Sequence, residues 1–313
     1  MTDLFLEINS VVKQFDGHLA VNKACLKIPR AKIYGLLGPN GAGKTTIIRM
    51  ITGIIEPDSG QILFDNQPLS RIHSKRMGYM PEERGLYKKT KVIEQITYLL
   101  QLKGMKEKAA YETAMSWLER LGLIDWAQKL TTDLSKGMQQ KVQFISTVAH
   151  EPDLLILDEP VSGLDPVNAK IMENEILRMK EKGTTIIFST HRLEQVEELC
   201  DNLALIHRGE VLIENTITNV RKQFQKNQYR VEFVGEKSQL QHLEGVTLSE
   251  VTDNHAFVQL KESQTGKSVM RQLTELPLEI LKFELHLPRL NDIFIELVGD
   301  PKELNKMIEN EEL

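Results

Sequence analysis

The sequence predicts an α/β fold on a largely parallel sheet, interrupted by a helical insertion and followed by a small α+β domain. Three observations carry that prediction. Short β-rich runs alternate with helical periods over the first two-thirds of the chain. A glycine-rich loop directly follows the apolar run Ile33–Leu37 and opens a helical segment. From about Asn219 the pattern turns to alternating strands. With 313 residues, 41% hydrophobic and 27% charged, the chain is long enough for two domains and a full core.

Residues 4–12 and 19–28 read as strands, with Asp16-Gly17 as the turn signal between them. Residues 45–52 have helical spacing, and Gly53 stands where that helix would stop. Residues 62–64 and Met77–Met80 are brief strands. From about 84 to 150 the texture is helical. Val92, Ile96, Leu99 and Lys103 share one face; Ala110, Ala114, Trp117, Leu118 and Leu121 form a second stripe; a third helix starts at Ser135. These stripes, Trp117 included, read as core. The sheet resumes at 154–157, 184–189 and 203–207, the last in a hairpin with 211–214. Pro166 and Gly183 bracket the intervening helix.

The first domain is therefore assigned to 1–218 and the second to 219–313. In the second, Tyr229, Val231 and Phe233 alternate with polar residues, and Ala256, Val258 and Leu260 repeat the alternation. Helices near 266–276 and 289–298 flank a strand at 278–285. The order, roughly βαββαβ plus a helix, suggests a ferredoxin-like sandwich. The last dozen residues read as a charged tail.

Composition excludes several classes. The formal charge of −5 and 6% aromatic content oppose a nucleic-acid binder. Cys25 and Cys200 are too few for a disulfide framework and read as small buried apolar residues. The start lacks the order of a signal peptide, and no run approaches the roughly 18 apolar residues of a membrane span. A cytosolic location is expected.

The strongest chemical signal is Gly38-Pro39-Asn40-Gly41-Ala42-Gly43-Lys44-Thr45, a full match to the phosphate-loop pattern between a strand and a helix. Its glycines let backbone N–H groups turn inward on phosphate oxygens, and the helix N-terminus adds partial positive charge. Lys44 would reach the β- and γ-phosphates, Thr45 would hold Mg²⁺, and Thr46 would bond an inner phosphate. The second signal is a buried strand, 154–157, ending in Asp158-Glu159, where open α/β sheets bind ligands. Asp158 would hold the Mg²⁺ shell, and Glu159 would orient or deprotonate an attacking water.

With these motifs placed, the chain resembles the ATP-binding-cassette (ABC) ATPases over about residues 4–215. Leu134-Ser135-Lys136-Gly137-Met138-Gln139 stands where that family has its signature loop. Ser162-Gly163-Leu164-Asp165 stands at the D-loop, His191 at the switch histidine, and Phe15 at the aromatic beneath adenine. The resemblance implies a P-loop NTPase core that binds ATP and Mg²⁺. It implies that Ser135 and Gly137 meet the γ-phosphate of ATP held by a second subunit, so that ATP drives dimerisation. It implies that His191 senses the γ-phosphate and that Asp165 organises the dimer interface. Ser135 and Asp165 also read as plain N-caps, and Phe15 also reads as core packing.

Two departures stand out. Lys136 and Met138 replace a glycine and the glutamine of the usual LSGGQ, and Glu82 stands where the family has a glutamine; its oxygen can still approach Mg²⁺ or water, but it cannot donate an amide proton. Both resemble a subgroup of ABC exporter ATPases linked with sodium-extrusion or antibiotic-export permeases. In that subgroup a tail domain ending like Leu290-Asn291-Asp292-Ile293-Phe294-Ile295-Glu296-Leu297 is common. The resemblance implies an ATPase subunit working with a separate polytopic permease on the inner face of the membrane. The surface from Glu82 to Lys89 would couple the two. One alternative is a soluble ABC ATPase acting on ribosomes or DNA. Against it stand the single cassette, the net charge and the position of Ser135 only 91 residues after Lys44, too close for a coiled-coil insertion. Another is a nucleotide-binding regulatory module with lost hydrolysis, which Lys136 and Glu82 keep open.

Overall fold

The computed structural model describes residues 3–299 apart from 84 and 263; the expected charged tail lies outside them. The chain divides into two compact units, one reaching Ile217 and the other spanning Thr218–Gly299.

In the first unit, β1 (Leu4–Phe15) and β2 (His18–Pro29) form an antiparallel hairpin turned by Asp16 and Gly17, both at positive φ. β3 (Ile33–Leu37) leads through the glycine loop into α1 (Lys44–Ile51). β4 (Ser59–Phe64) and β5 (Gln67–Pro68) precede β6 (Met77–Met80). The insertion contributes α2 (Val92–Leu102), α3 (Glu107–Arg120) and α4 (Lys136–Val148). The chain then alternates through β7 (Leu154–Asp158), α5 (Pro166–Glu181), β8 (Thr185–Thr190) and α6 (Leu193–Leu199). β9 (Asn202–His207) and β10 (Glu210–Thr216) close the unit as a hairpin.

Two sheets result. The order β10-β9-β3-β8-β7-β6 is parallel except for the antiparallel β10–β9 edge. A second sheet, β2-β1-β4-β5, is antiparallel throughout. It stands beside the largely parallel sheet that was expected, and its antiparallel pairing of β1, β2, β4 and β5 was not read from the sequence. β2 buries Val21, Ala24, Leu26 and Ile28 and leaves Lys23, Cys25 and Lys27 outside, the one-sided pattern of an antiparallel sheet. Cys25 is accordingly exposed, against the expectation of a buried thiol, whereas burial pushes the Cys200 thiol far up.

β7 and β8 are instead covered on both faces, which explains their unbroken apolar runs. Leu154 and Ile156 point into a core shared with β1, β2 and α1, while Leu155 and Leu157 point into a core shared with α2 to α5. Each such fully buried side chain contributes about 1.5–3 kcal/mol. In α2 the buried stripe is Val92, Ile93, Ile96 and Leu100. Lys103, expected on that face, instead turns its Nζ to the carbonyls of Ser74 and Met77. Trp117 packs against the helical core, as expected.

The second unit takes in most of α7 (Ile217–Gln223), then β11 (Gln228–Val234), β12 (Val246–Ser249), β13 (His255–Leu260), α8 (Gly266–Glu275), β14 (Glu279–His286) and α9 (Leu290–Val298). Its antiparallel sheet has the order β12-β13-β11-β14, the ferredoxin-like arrangement, with a 3₁₀ turn at Lys237–His242 in place of the first helix. Val231, Phe233, Ala256 and Val258 form its core with Val269 and Leu273 of α8.

Candidate functional site

Parallel register brings the motifs together. Asp158 at the end of β7 pairs with Ser189 of β8, and Leu37 at the end of β3 pairs with Thr190. The segments beyond these strands, starting at Gly38, Glu159 and His191, therefore meet at the C-terminal edge of one sheet. There they line a cleft of about 470 Å³.

The loop in this cleft needs its glycines. Gly38 and Gly43 have φ of 149° and 107°, and a Cβ would stand 2.1 Å from Ile206 O at the first and 2.6 Å from Ala20 O at the second. Lys44 curls back so that its Nζ donates to Gly38 O at 2.6 Å and Pro39 O at 3.1 Å. Burial lowers the Lys44 pKa, opposed by the negative charge of Glu159, Asp158 and Glu82. Burial likewise raises the pKa of Asp158. Both charges are thus held in a poorly solvated place where a charged ligand interacts strongly.

Glu159 occupies the left-handed region at φ 51°, an uncommon conformation for a bulky residue. Its Oε1 accepts from His191 N–H at 2.8 Å and from His191 Nδ1–H at 2.7 Å, and the Thr190 hydroxyl lies 3.2 Å from Oε2. The hydrogen bond that His191 donates to Glu159 raises the His191 pKa. A carboxylate so held by two neighbouring groups has a fixed direction.

Phe15, Asn40, Gly41, Ala42, Gly43, Lys44, Thr45, Thr46, Glu82, Asp158, Glu159 and His191 all line the cleft, and Phe15 is 43% exposed at its edge. Ser135, Gly137 and Asp165 do not line it. Ser135 caps α4, its Oγ accepting from Met138 N–H at 3.3 Å, and Asp165 caps α5 through Val167 and Asn168 N–H. The α4 helix is fastened to the site from behind. Gln140 Nε2 donates to Pro160 O at 2.9 Å and Gln143 Nε2 donates to Pro81 O at 2.9 Å. Sequence reading missed His18 and Ala20, which reach the cleft from the β1–β2 hairpin, and Thr190, which it placed beyond the strand end. The proximity of His18 to Phe15 across the Asp16-Gly17 turn was the available signal for the first.

The Thr45 hydroxyl and the Asp158 and Glu82 carboxylates are hard oxygen donors of the kind Mg²⁺ takes. Among the described residues no group of three His, Cys, Asp or Glu could hold a metal by itself. This donor set fits an ion that completes its shell with phosphate and water.

Comparison with known proteins decides the family. Residues 21–162 match the ABC transporter family and residues 216–298 match the C-terminal domain of DrrA1-3-like ATP-binding proteins. The chain is 42% identical over 294 residues to the ABC transporter ATP-binding protein YhaQ of Bacillus subtilis, covering 94% of this chain and 98% of YhaQ. This chain belongs to the ATP-binding proteins of ABC transporters. The ABC ATPase is also 36% identical over 225 residues to the bacitracin transport ATP-binding protein BcrA of Enterococcus faecalis, covering 71% of this chain and 72% of BcrA. A solved ATP-binding subunit of an ABC transporter superposes on it with a TM-score of 0.66 at 29% identity, over 70% of this chain and 93% of that one. As a member of this family the ABC ATPase binds ATP and hydrolyses it. No helix among its described residues is long and apolar enough to cross a membrane.

Proposed function

We propose that this chain is the ATP-hydrolysing subunit of an exporter, working as a homodimer with a separate polytopic permease that holds it on the inner face of the membrane. The observation that carries the proposal is the Glu159 carboxylate clamped by His191 in the same cleft as Lys44 and Asp158. The transport proteins for bacitracin and for a lantibiotic among its relatives support export.

The phosphate loop, 38–45, wraps the β- and γ-phosphates with backbone N–H groups, and Lys44 exchanges its carbonyl partners for phosphate oxygens. Thr46 bonds an inner phosphate, and Phe15 lies under adenine. Thr45, Asp158 and Glu82 would hold Mg²⁺, which would supply positive charge to the phosphates. Glu159 orients the attacking water and takes its proton as the water oxygen bonds to the γ-phosphorus and the bond to the β–γ bridging oxygen breaks. His191 holds Glu159 in line and contacts the γ-phosphate. Ser135 and Gly137 stand outside this cleft and act on the ATP of the opposite subunit, where α4 presents its N-terminus to the γ-phosphate; Asp165 lies at that interface. The surface around Glu82 to Lys89, of which residue 84 is not among the described residues and Tyr87 is about half exposed, would meet the permease. The cassette occupies residues 1–218 and the accessory domain 219–313.

Glu159→Gln tests the assignment. Turnover is expected to fall by about 10²–10⁴-fold, with the variant accumulating as an ATP-bound dimer on sizing columns. Unchanged turnover would sink the role of Glu159. Gentle detergent extraction of the tagged chain is expected to bring down a stoichiometric polytopic membrane protein; recovery of ribosomes or DNA-bound proteins instead would remove the exporter reading and leave the chemistry intact.

A further inference from the structure

The two edges of the accessory sheet are unlike. β12 is a four-residue edge of the kind that resists pairing, whereas β14 runs eight residues, and among the described residues no strand pairs with its outer side. Leu281 and Leu285 on this edge are 60% and 38% exposed. A β-bulge leaves Leu281 out of the ladder with β11.

The side chains of this edge decide what can pair with it. On the face away from α8, Arg230 stands beside Glu284 and Glu232 beside Lys282. Ion pairs run along the strands as well, Arg230–Glu232 at 3.0 Å and Lys282–Glu284 at 2.8 Å, so the four charges form a checkerboard. An antiparallel copy of β14 related by a two-fold axis through Phe283 places the partner's Glu284 opposite Lys282 and the partner's Lys282 opposite Glu284. The rows then read Glu232, Lys282, Glu284, Arg230 across two copies, with signs alternating without interruption. In the same register each Leu281 meets the partner's Leu285. An axis through Glu284 or Lys282 sets like charges face to face, which is destabilising. A one-residue slip sets Lys282 against Phe283.

We propose that β14 is a homotypic docking edge: two copies of this chain pair antiparallel through Ile280–His286, centred on Phe283, joining their accessory sheets into one continuous eight-stranded sheet without nucleotide. Such an isologous contact obeys the two-fold symmetry of a homodimer. It is independent of the ATP site and holds two cassettes together between rounds of nucleotide binding.

The test uses the full chain free of nucleotide, with mass measured by light scattering and sedimentation velocity over a concentration series. The wild-type chain is expected to be a dimer. Lys282→Glu and Glu284→Lys are each expected to weaken dimerisation by about tenfold or more, because each places two like-charge pairs across the axis. Mixed in equal amounts, the two variants are expected to recover the dimer. In the mixed pair the two substituted positions face each other with opposite signs, as do the native Glu284 of one variant and the native Lys282 of the other. That recovery separates an interface effect from a folding defect. A nucleotide-free wild-type monomer, variants that dimerise normally, a mixture that stays monomeric, or an edge that matters only when the permease is present would each overturn the proposal. ATP-driven dimerisation of Glu159→Gln reports on the catalytic reading separately.

Discussion

The residue with the most unusual surroundings is Glu159, because its backbone is left-handed and its carboxylate takes both hydrogen bonds of one histidine. Thr190 is a positioning residue in the same cluster. Its hydroxyl lies 3.2 Å from Glu159 Oε2 and from Gln195 Oε1 and accepts from Arg192 N–H at 3.1 Å. Thr190→Val keeps the shape and removes every one of these bonds. It is expected to lower kcat by about tenfold with ATP affinity unchanged, since it loosens the base and leaves the phosphate loop alone; nucleotide titration beside steady-state phosphate release checks the split. This contact was not legible in the sequence. Glu159 and Thr190 are 31 positions apart, and only the pairing of Asp158 with Ser189 makes them neighbours. The phosphate loop was legible, because its function rests on eight consecutive residues.

Among the elements, β8 lies inside the parallel sheet, paired with β3 on one side and β7 on the other. Ile187 in β8 is fully buried, so Ile187→Ala is expected to cost about 2–5 kcal/mol in a urea unfolding series. His150 follows α4, where burial and then the Lys103 charge lower its pKa to about 4. In the unfolded chain it returns to the ordinary 6.5, so at intermediate pH the unfolded state binds the extra proton. Stability from this group is present above pH 6.5 and is lost as pH falls towards 4. Between about pH 7 and pH 5 the loss is about 2 kcal/mol. His150→Gln is expected to flatten that part of the pH dependence, read from urea midpoints at the two values. The α4 helix itself was legible from Ser135 and its periodicity. The α2 stripe was misread by one position at Leu99 and Lys103, because Lys103 finds two carbonyls that pattern alone does not reveal.

For the molecule taken whole, the proposed dimer makes each ATP site from two chains. Lys44 lies within the cleft and Ser135 outside it. A Lys44→Ala chain retains Ser135, and a Ser135→Arg chain retains Lys44, so their heterodimer contains one complete site. Equal mixing of the two inactive variants is expected to restore about a quarter of wild-type ATPase activity, because half the dimers are mixed and each has one working site of two. A mixture as inactive as its parts would place the whole site within a single chain.

Features written in consecutive residues or short periods follow from local chemistry alone. These are the phosphate loop at 38–45, the apolar strand ending in Asp158-Glu159, the capped helix at Ser135, and the alternation that marks a separate domain after Asn219. They are legible because turn geometry, capping and amphipathic period act over a few residues. Long-range pairing settled the rest: β1, β2, β4 and β5 form their own antiparallel sheet, His191 and Thr190 close on Glu159, and β14 is left as a free edge among the described residues. Those outcomes depend on which strands become neighbours. Pairing between distant segments is set by how all the apolar faces are buried at once, and no local run of residues records it.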